Sequence, residues 1–385
     1  MNQTEQILLK AVRKSIWNQP VDFPAETDWD AVLLEAEKQT ILGIVITAAP
    51  DAIQEEWKGK ASSVTATFIR ILRAQEQLYK LLKNNGISMA ILKGTASAIY
   101  YPNPHQRSMG DIDFIVPSEQ FDRAKELLMK NGYTIDAESG VKRHIEMQKD
   151  GITFELHWRF SSYDSDIESV VTCGLEHPEI HTIFGVEFPM LPKLENGLVL
   201  LAHLVQHLRS GLGLRQVIDW MMYVDKELDD ATWEQSFQTI AKTAGLETTA
   251  ITVTRMCQMY LGLNPNNRWP NNADPELCDL LLENMLESGN FGRKLGEGIK
   301  TEKVVTQIKT LGFFRYLQFA GEHNFKACRK HKWLKPFAWC YQIGRYIKQL
   351  FQIRHRKSEI LSDINRGDQR AALLKRLDIR DSHIS

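Results

Sequence analysis

The sequence lacks the features that would place it in a specialised class of protein. Its five cysteines are odd in number and form no C-x-x-C pair, which argues against a disulfide framework and a zinc knuckle. It contains no run of about 18 uncharged apolar residues, so we predict no membrane-spanning helix. Residues 1–6 show no basic-then-apolar signal pattern, and we expect a cytoplasmic protein.

The sequence also has no excess of either charge. Lysine and arginine total 47 against 48 aspartates and glutamates, which gives a net charge of −1. Affinity for nucleic acid or for a membrane must therefore come from a local patch. With 385 residues, of which 43% are hydrophobic, the chain is long enough for roughly two or three domains with a sizeable core.

The hydrophobic pattern changes along the chain and divides it into four segments. Residues 1–85 are predicted to be helical, and residues 86–192 alternate short apolar strands with helices. Residues 193–320 return to the helical period, and residues 321–385 form a basic, aromatic helical tail. We therefore predict an α+β protein, in which N-terminal helices and an all-helical C-terminal region flank a small mixed β-sheet core.

Individual elements follow from the same periodicity. A helix over residues 64–82 is predicted to end at Asn84-Asn85-Gly86, which has the composition of a C-terminal cap. Lys149-Asp150-Gly151 contains a strong hairpin signal between two strands. The predicted strands are residues 87–92, 111–116, 141–148 and 152–158.

The strand that begins after Gly110 carries the first chemical signal. Side chains alternate faces along a strand, so Asp111 and Asp113 project from the same side, about 7 Å apart. Ile112 and Phe114 fill the core on the other side. Burying two like charges without a cation is costly, and Mg²⁺ accepts one or two carboxylates together with phosphate oxygens. The alternative is a strand-end pair that faces solvent.

Two further segments add candidate ligands. Lys93-Gly94-Thr95 joins a strand to a helix, where a glycine and the helix N-terminus suit a phosphate, with Lys93 and Arg107 as basic partners. An ordinary helix start is the alternative. Along residues 152–158, Thr153, Glu155 and His157 share one face. If this strand neighbours the aspartate strand, three carboxylates converge and can hold two metal ions. Otherwise Glu155 and His157 line the exposed face of a sheet.

The ordered set of these motifs resembles the polymerase-β-type nucleotidyltransferase superfamily, and within it a bacterial branch described only as uncharacterised nucleotidyltransferases. The resemblance covers roughly residues 60–225. It is carried by Leu92-Lys93-Gly94-Thr95, Arg107-x-x-Gly110-Asp111-Ile112-Asp113-Phe114-Ile115-Val116, Glu155-Leu156-His157-Trp158, and a later helix with His203-x3-His207, Arg215 and Asp219.

The resemblance implies metal-dependent transfer of a nucleoside monophosphate from an NTP. It assigns Asp111, Asp113 and Glu155 as ligands of Mg²⁺ or Mn²⁺, and Gly94 and Thr95 to the triphosphate. Lys93, Arg107, Gly110 and His157 complete the predicted nucleotide-binding set. Threonine replaces the commoner serine at Thr95, and glutamate replaces the commoner aspartate at Glu155. The superfamily also contains inactive members, so the fold alone does not establish catalysis.

The helix after residue 194 carries a separate set of polar residues. His203 and His207 share a helix face at i, i+4 spacing and could bind a metal together with Asp219. We favour the alternative, in which the two histidines line the cleft or pack against the α/β core. Arg215 and Asp219 have the same spacing and are expected to form a helix ion pair.

The C-terminal tail combines positive charge with aromatic residues. Residues 321–357 contain ten lysines and arginines against Glu322 alone, with phenylalanine, tryptophan and tyrosine between them. This composition suits a nucleic acid or an anionic membrane surface, and it equally suits a helical region with solvated basic residues.

We therefore expect an NMP transfer to a hydroxyl of a small-molecule or sugar acceptor. Transfer to RNA, such as a tRNA, or to a protein is the second hypothesis. The third is an inactive NTP-binding or scaffold protein.

Overall fold

The computed structural model shows a mostly helical α+β protein. A seven-stranded mixed sheet lies in the N-terminal half, and helices follow residue 190, so the predicted fold class is confirmed. The structure describes residues 1–136, 143–160, 165–208, 211–290, 298–325, 327–352 and 357–379.

Five helices precede the sheet. The long helix α5 buries Phe68, Ile71, Leu72 and Leu78 at the predicted spacing. The turn after it contains Gly86 at φ +62°, a left-handed conformation that glycine adopts without strain, so the predicted helix end is confirmed. The five helices are α1 (Gln3–Trp17), α2 (Trp29–Lys38), α3 (Leu42–Val45), α4 (Asp51–Glu56) and α5 (Lys58–Asn84).

The sheet has the strand order β3-β4-β5-β2-β1-β7-β6. The pairs β2/β5 and β1/β7 are parallel, and the other neighbours are antiparallel. The strands are β1 (Ala90–Ile91), β2 (Ile112–Ile115), β3 (Thr134–Ile135), β4 (His144–Lys149), β5 (Ile152–His157), β6 (Glu179–Ile183) and β7 (Val186–Met190). Between them lie α6 (Thr95–Ala98), α7 (Phe121–Lys130) and α8 (Ser165–Glu176).

The strand register brings the predicted acidic strands together. Ile112 pairs with Phe154 and Asp113 with Glu155, so β2 and β5 are parallel neighbours, as the site prediction required. The hairpin between β4 and β5 turns at Asp150 and Gly151, with φ of +51° and +70°, which confirms the hairpin prediction.

Of the helices after residue 190, those near the C-terminus pack mainly against one another, and the segment at residues 257–261 contacts α1. Trp17 of α1 donates its indole N–H to the carbonyl of Leu261, which ties the first helix to the C-terminal half. These helices are α9 (Lys193–Leu208), α10 (Leu214–Glu227), α11 (Asp230–Thr232), α12 (Gln238–Thr243), α13 (Glu247–Met256), α14 (Pro275–Ser288), α15 (Gly298–Leu311), α16 (Phe313–Asn324), α17 (Ala327–Lys330), α18 (Ala338–Gln352) and α19 (Lys357–Arg376).

The basic, aromatic tail is mostly helical over its described residues, and several of its aromatic side chains are exposed, with Trp333 at 70% and Phe337 at 56%. Lys335 forms an ion pair with Glu322. Three of the basic residues counted in the sequence, Lys326, Arg354 and Arg356, lie outside the described residues. Within the described residues, no helix combines the length and the hydropathy needed to cross a membrane.

Candidate metal and nucleotide site

Three carboxylates converge where β2 and β5 run side by side. Asp111 lies immediately before β2, Asp113 lies on β2, and Glu155 lies on β5. One oxygen from each side chain lies within 4.8 Å of the others. Asp111 is exposed, Asp113 is buried and Glu155 is intermediate, so the cluster extends from the core to the surface. The structure therefore brings together all three acids that the sequence singled out.

Asp113 is held in its ionised form by Lys93 and by a contact with His157. Its Oδ1 lies 2.7 Å from Lys93 Nζ and 3.4 Å from His157 Nε2. Burial works against ionisation, but the Lys93 ammonium and the His157 contact outweigh it and hold the pKa of Asp113 well below its usual range. At neutral pH this carboxylate is therefore available as an anionic ligand.

The partners of Asp113 respond to the same cluster. Burial alone would lower the pKa of Lys93 and of His157, but the surrounding carboxylates raise both. His157 Nε2 also lies 3.2 Å from Glu155 Oε2. Burial, together with the charge of Asp113, raises the pKa of Glu155. Lys93 was predicted as a phosphate partner, and its ammonium lies against the acidic cluster.

Gly94 provides the bend between β1 and α6. Its backbone has φ +65° and ψ −108°, a conformation that only glycine adopts readily. The side chain of the next residue, Thr95, was expected to contact the triphosphate, and in the structure it has a protein partner instead. Thr95 is buried, and its hydroxyl donates a hydrogen bond to Gln75 Oε1 on α5 at 2.7 Å. This hydroxyl therefore holds the bend against α5, and the structure does not bring it to the acidic cluster.

Arg107 is also placed differently from the prediction. Its guanidinium forms a two-point ion pair with Asp219 on α10, with Nε–Oδ1 and Nη2–Oδ2 distances of 2.7 Å each. Tyr101 donates its hydroxyl to the same carboxylate at 2.7 Å. Arg107 is therefore a buried link between the segment before β2 and α10, and its contact with phosphate stays a prediction. The predicted ion pair of Asp219 with Arg215 is not formed, because the Asp219 carboxylate is paired with Arg107 instead.

Arg215 is instead a cation that faces the cleft. It lines a cleft of about 690 Å³ together with Gly110, Asp111 and Glu155. Arg215 Nη1 donates to the carbonyl of Ser108 at 3.3 Å, and Arg215 Nε has no hydrogen-bond partner among the described residues. Burial and the nearby Arg107 lower the pKa of Arg215. In the sequence, Arg215 belongs to the later helix of the family resemblance, but its i, i+4 spacing to Asp219 indicated an ion pair and not a role in the cleft.

The N-terminal helices, the sheet and the later helices all contribute residues to the cleft. α2, the loop after it and α5 contribute Glu37, Thr40 and Lys60, and the loop after α14 contributes Asn290. Lys60 Nζ pairs with Glu37 Oε2 at 2.9 Å across one wall. The acidic cluster therefore borders an open cleft of the size typical of small-molecule sites.

The two histidines of α9 lie behind Lys93. His203 Nε2 is 3.4 Å from Lys93 Nζ and 3.0 Å from His207 Nε2. Burial and the Lys93 charge hold the pKa of His203 well below its usual value, so this ring is neutral. Asp219 is paired with Arg107 and does not join the two histidines in a metal site. The structure therefore agrees with the alternative that we favoured, in which the histidines pack beside the cleft.

One more histidine lies beside the cluster and was not singled out in the sequence. His144 on β4 stands opposite His157 on β5 in the antiparallel register. Burial and the charge of His157 lower the pKa of His144 to about 3, which keeps the ring neutral. His144 could not be found from sequence because it lies at the start of β4, outside the motifs that carry the resemblance.

The fold and the site together define an α+β protein whose mixed sheet carries an acidic cluster able to hold a metal ion. The model of the family described as uncharacterised nucleotidyltransferase matches residues 25–262, and the chain belongs to this family. The sequence-based resemblance is thus confirmed at the level of the family, and the matched range includes the acidic cluster and Arg215.

Comparison with other proteins adds little beyond this membership. No curated protein matches the chain. Among solved structures, the chain is similar to an antigenic nucleotidyltransferase-like protein from Paracoccidioides brasiliensis, with 14% identity, a TM-score of 0.33, and coverage of 51% of this chain and 94% of that chain. A similarity of this degree carries no argument about the site.

Proposed function

We propose that the protein is a metal-dependent nucleotidyltransferase that moves an NMP from an NTP to a hydroxyl of a small-molecule or sugar acceptor. One observation supports this most strongly: Asp111, Asp113 and Glu155 converge within 4.8 Å at the edge of a cleft. Family membership supplies the reaction class. The donor set consists of carboxylate oxygens, which fits Mg²⁺ or Mn²⁺.

The three acids would hold the metal ions. Bound there, Mg²⁺ or Mn²⁺ would neutralise charge on the transferring phosphoryl group and orient it for in-line displacement. Asp113 contributes an ionised carboxylate, since its pKa is held low. Lys93 and His157 are the basic groups nearest to the Asp113 carboxylate, and they offset its negative charge. The Lys93 ammonium is thus close enough to the cluster to serve the triphosphate as well.

The reaction also needs a group that accepts the acceptor proton and a cation that faces the triphosphate. The acceptor oxygen attacks the α-phosphorus, the bond from that phosphorus to the bridging oxygen breaks, and pyrophosphate leaves with the bond electrons. The acceptor proton passes to the Glu155 carboxylate, which lines the cleft beside Asp111. Arg215, facing the cleft, takes the triphosphate role that the sequence assigned to Arg107.

The size of the cleft favours a small acceptor. Its volume of about 690 Å³ lies within the range of roughly 300–1,000 Å³ typical of small-molecule sites. Helices α2 and α5 contribute Glu37 and Lys60 to one side of it. Transfer to RNA or to a protein remains the second hypothesis, since residues 321–357 carry an excess of positive charge that could bind a polyanion.

The proposal is tested by label transfer. The full-length protein is incubated with each α-³²P-NTP, Mg²⁺ and a fractionated cell extract, and we expect label in the small-molecule fraction. Asp113→Asn should lower transfer by at least about 100-fold, because it removes charge from a buried ligand. Asp150→Asn, the same change in the exposed hairpin turn, is the matched control and should not alter transfer.

Three results would contradict the proposal or redirect it. Equal transfer by Asp113→Asn and by Asp150→Asn would refute the acidic site. Label in RNA or protein alone would replace the acceptor class. Tight Mg²⁺–NTP binding with no transfer to any fraction would support the inactive NTP-binding alternative instead.

A further inference from the structure

Two histidines meet the third acid of the cluster on one face of the sheet. β4 and β5 pair with His144 opposite His157, and the two imidazole rings lie 4.7 Å apart. Glu155 stands two positions before His157 on β5, so strand alternation places both side chains on the same face. One ligand atom from each of His144, Glu155 and His157 lies within 4.8 Å of the others.

The spacing suits a small coordination sphere. Glu155 Oε2 lies 3.2 Å from His157 Nε2. Two ligands that each bind a tetrahedral Zn²⁺ at roughly 2.0–2.1 Å are separated by about 3.4 Å. This pair of atoms is therefore already close to the separation that one shared ion requires.

Burial leaves nitrogen atoms of both rings without partners. His144 is 6% exposed and His157 is 4% exposed. The Nδ1 atom of each ring has no hydrogen-bond partner among the described residues. Buried polar atoms in folded proteins are nearly always paired, and an unmade hydrogen bond is costly. One nitrogen of each imidazole is thus unpaired, and the other nitrogen of His157, Nε2, faces the carboxylates of Asp113 and Glu155, contacts that a bound cation would replace.

We propose that His144, Glu155 and His157 form a second metal site, which takes a borderline divalent cation such as Zn²⁺ in preference to Mg²⁺. Two imidazoles and one carboxylate are ligands that Zn²⁺ favours, whereas Mg²⁺ prefers oxygen ligands throughout. Three protein ligands leave a fourth position of the ion open to water or to a substrate atom.

This proposal rests on the proposed function only because Glu155 belongs to both sites. Zn²⁺ on the histidine side would engage a Glu155 oxygen and add positive charge beside the acidic cluster. We therefore expect Zn²⁺ to weaken Mg²⁺-dependent NTP binding, and the histidines to set the Zn²⁺ concentration at which this occurs. The affinity for Zn²⁺ itself can be measured without nucleotide or turnover.

The direct test uses Co²⁺ as a spectroscopic substitute for Zn²⁺ in the full-length protein. We expect one equivalent of Co²⁺ to give the visible absorption of a low-symmetry nitrogen and oxygen site, and Zn²⁺ to displace it. The exposed Cys173 and Cys340 would instead give a thiolate-to-cobalt charge-transfer band, which separates adventitious thiol binding from the proposed site.

Two histidine variants make the test specific. His144→Gln should lower Zn²⁺ affinity by at least about tenfold and should remove the Zn²⁺-induced rise in Tm. His181→Gln is the matched control, because His181 also faces a glutamate two positions away, with Nε2 3.4 Å from Glu179 Oε2 on β6. It should bind Zn²⁺ as the unaltered protein does.

The outcomes separate this proposal from the proposed function. If His144→Gln and His181→Gln bind Zn²⁺ with equal affinity, or if Co²⁺ gives only a thiolate band, the second site does not exist. Label transfer could persist in either case. If the Co²⁺ and Zn²⁺ results are as expected but no NTP is bound or turned over, the metal site stands and only the proposed function fails.

Discussion

The buried ion pair between Arg107 and Asp219 gives a stability prediction that depends directly on the structure. Arg107 lies in the segment between α6 and β2, and Asp219 lies on α10, 112 residues further along the chain. Both residues are 4% exposed. We consider Asp219→Ala, which removes the carboxylate and leaves the guanidinium where water cannot reach it.

The expected loss follows from the contacts that the carboxylate accepts. Asp219 accepts two hydrogen bonds from Arg107 and one from the hydroxyl of Tyr101, each 2.7 Å long. Removing one partner of a buried ion pair costs about 3–5 kcal/mol, mainly because the remaining charge is uncompensated. The double variant Arg107→Met, Asp219→Leu removes both charges together, and it should recover much of that loss.

Urea unfolding followed by far-UV circular dichroism measures these differences. Glu76→Ala is the control, because the pair of Lys80 with Glu76 lies on the outer surface of α5 at i, i+4 spacing. An exposed helix pair of this kind contributes about 0.3–0.5 kcal/mol. If Asp219→Ala destabilises the protein no more than Glu76→Ala does, the claim that this pair joins the sheet to α10 is refuted.

Three further predictions concern the site and the tail. Gly94→Ala should destabilise the protein by about 1–2 kcal/mol in thermal or urea unfolding because of its positive φ, whereas Gly59→Ala, in the first turn of α5 with open space around it, should not destabilise it; equal effects would contradict this. The raised pKa of His157 means that its contribution to stability is present below its unfolded value of 6.5 and is lost as pH rises through the folded value. The stability difference between the unaltered protein and His157→Gln should therefore shrink towards alkaline pH, and a growing difference would refute the assignment. Filter binding of a polyanion through residues 321–357 should fall steeply as salt increases, and a salt-independent affinity would exclude a role for their charge.

The central part of the site could be predicted because it depends on local patterns. Asp111 and Asp113 stand out against an apolar strand, and Glu155 alternates with core residues on another. Alternation fixes which side chains share a face, and the parallel pairing of β2 with β5 then brings those faces together. The Asp-Gly turn was predictable for the same reason, since its sequence selects its conformation.

The parts of the site that differ from prediction depend on contacts between distant segments. Thr95 meets Gln75 of α5, and Arg107 meets Asp219 of α10, and no spacing along the chain encodes either pair. A motif assigns a residue type to a position, but the neighbouring helices decide which polar partner a buried side chain finds.

The β6–β7 hairpin was missed for a local reason. Its turn is formed by Phe184 and Gly185, with φ of +50° and +80°, and a phenylalanine in the left-handed region has no place among the common turn signals. The strand β3 is only two residues long, which is too short to show an alternating pattern. The strands β3 and β6 form the two edges of the sheet, away from the acidic cluster.

The central claim is that Asp111, Asp113 and Glu155 together bind divalent metal beside the cleft. Anomalous diffraction from crystals grown with Mn²⁺ and a non-hydrolysable NTP analogue tests this most directly. We predict an anomalous peak within about 2.0–2.3 Å of an oxygen from each of these three carboxylates, with the triphosphate on the Arg215 side of the cleft. A nucleotide and metal bound elsewhere, with the three carboxylates still facing Lys93 and His157, would contradict the account.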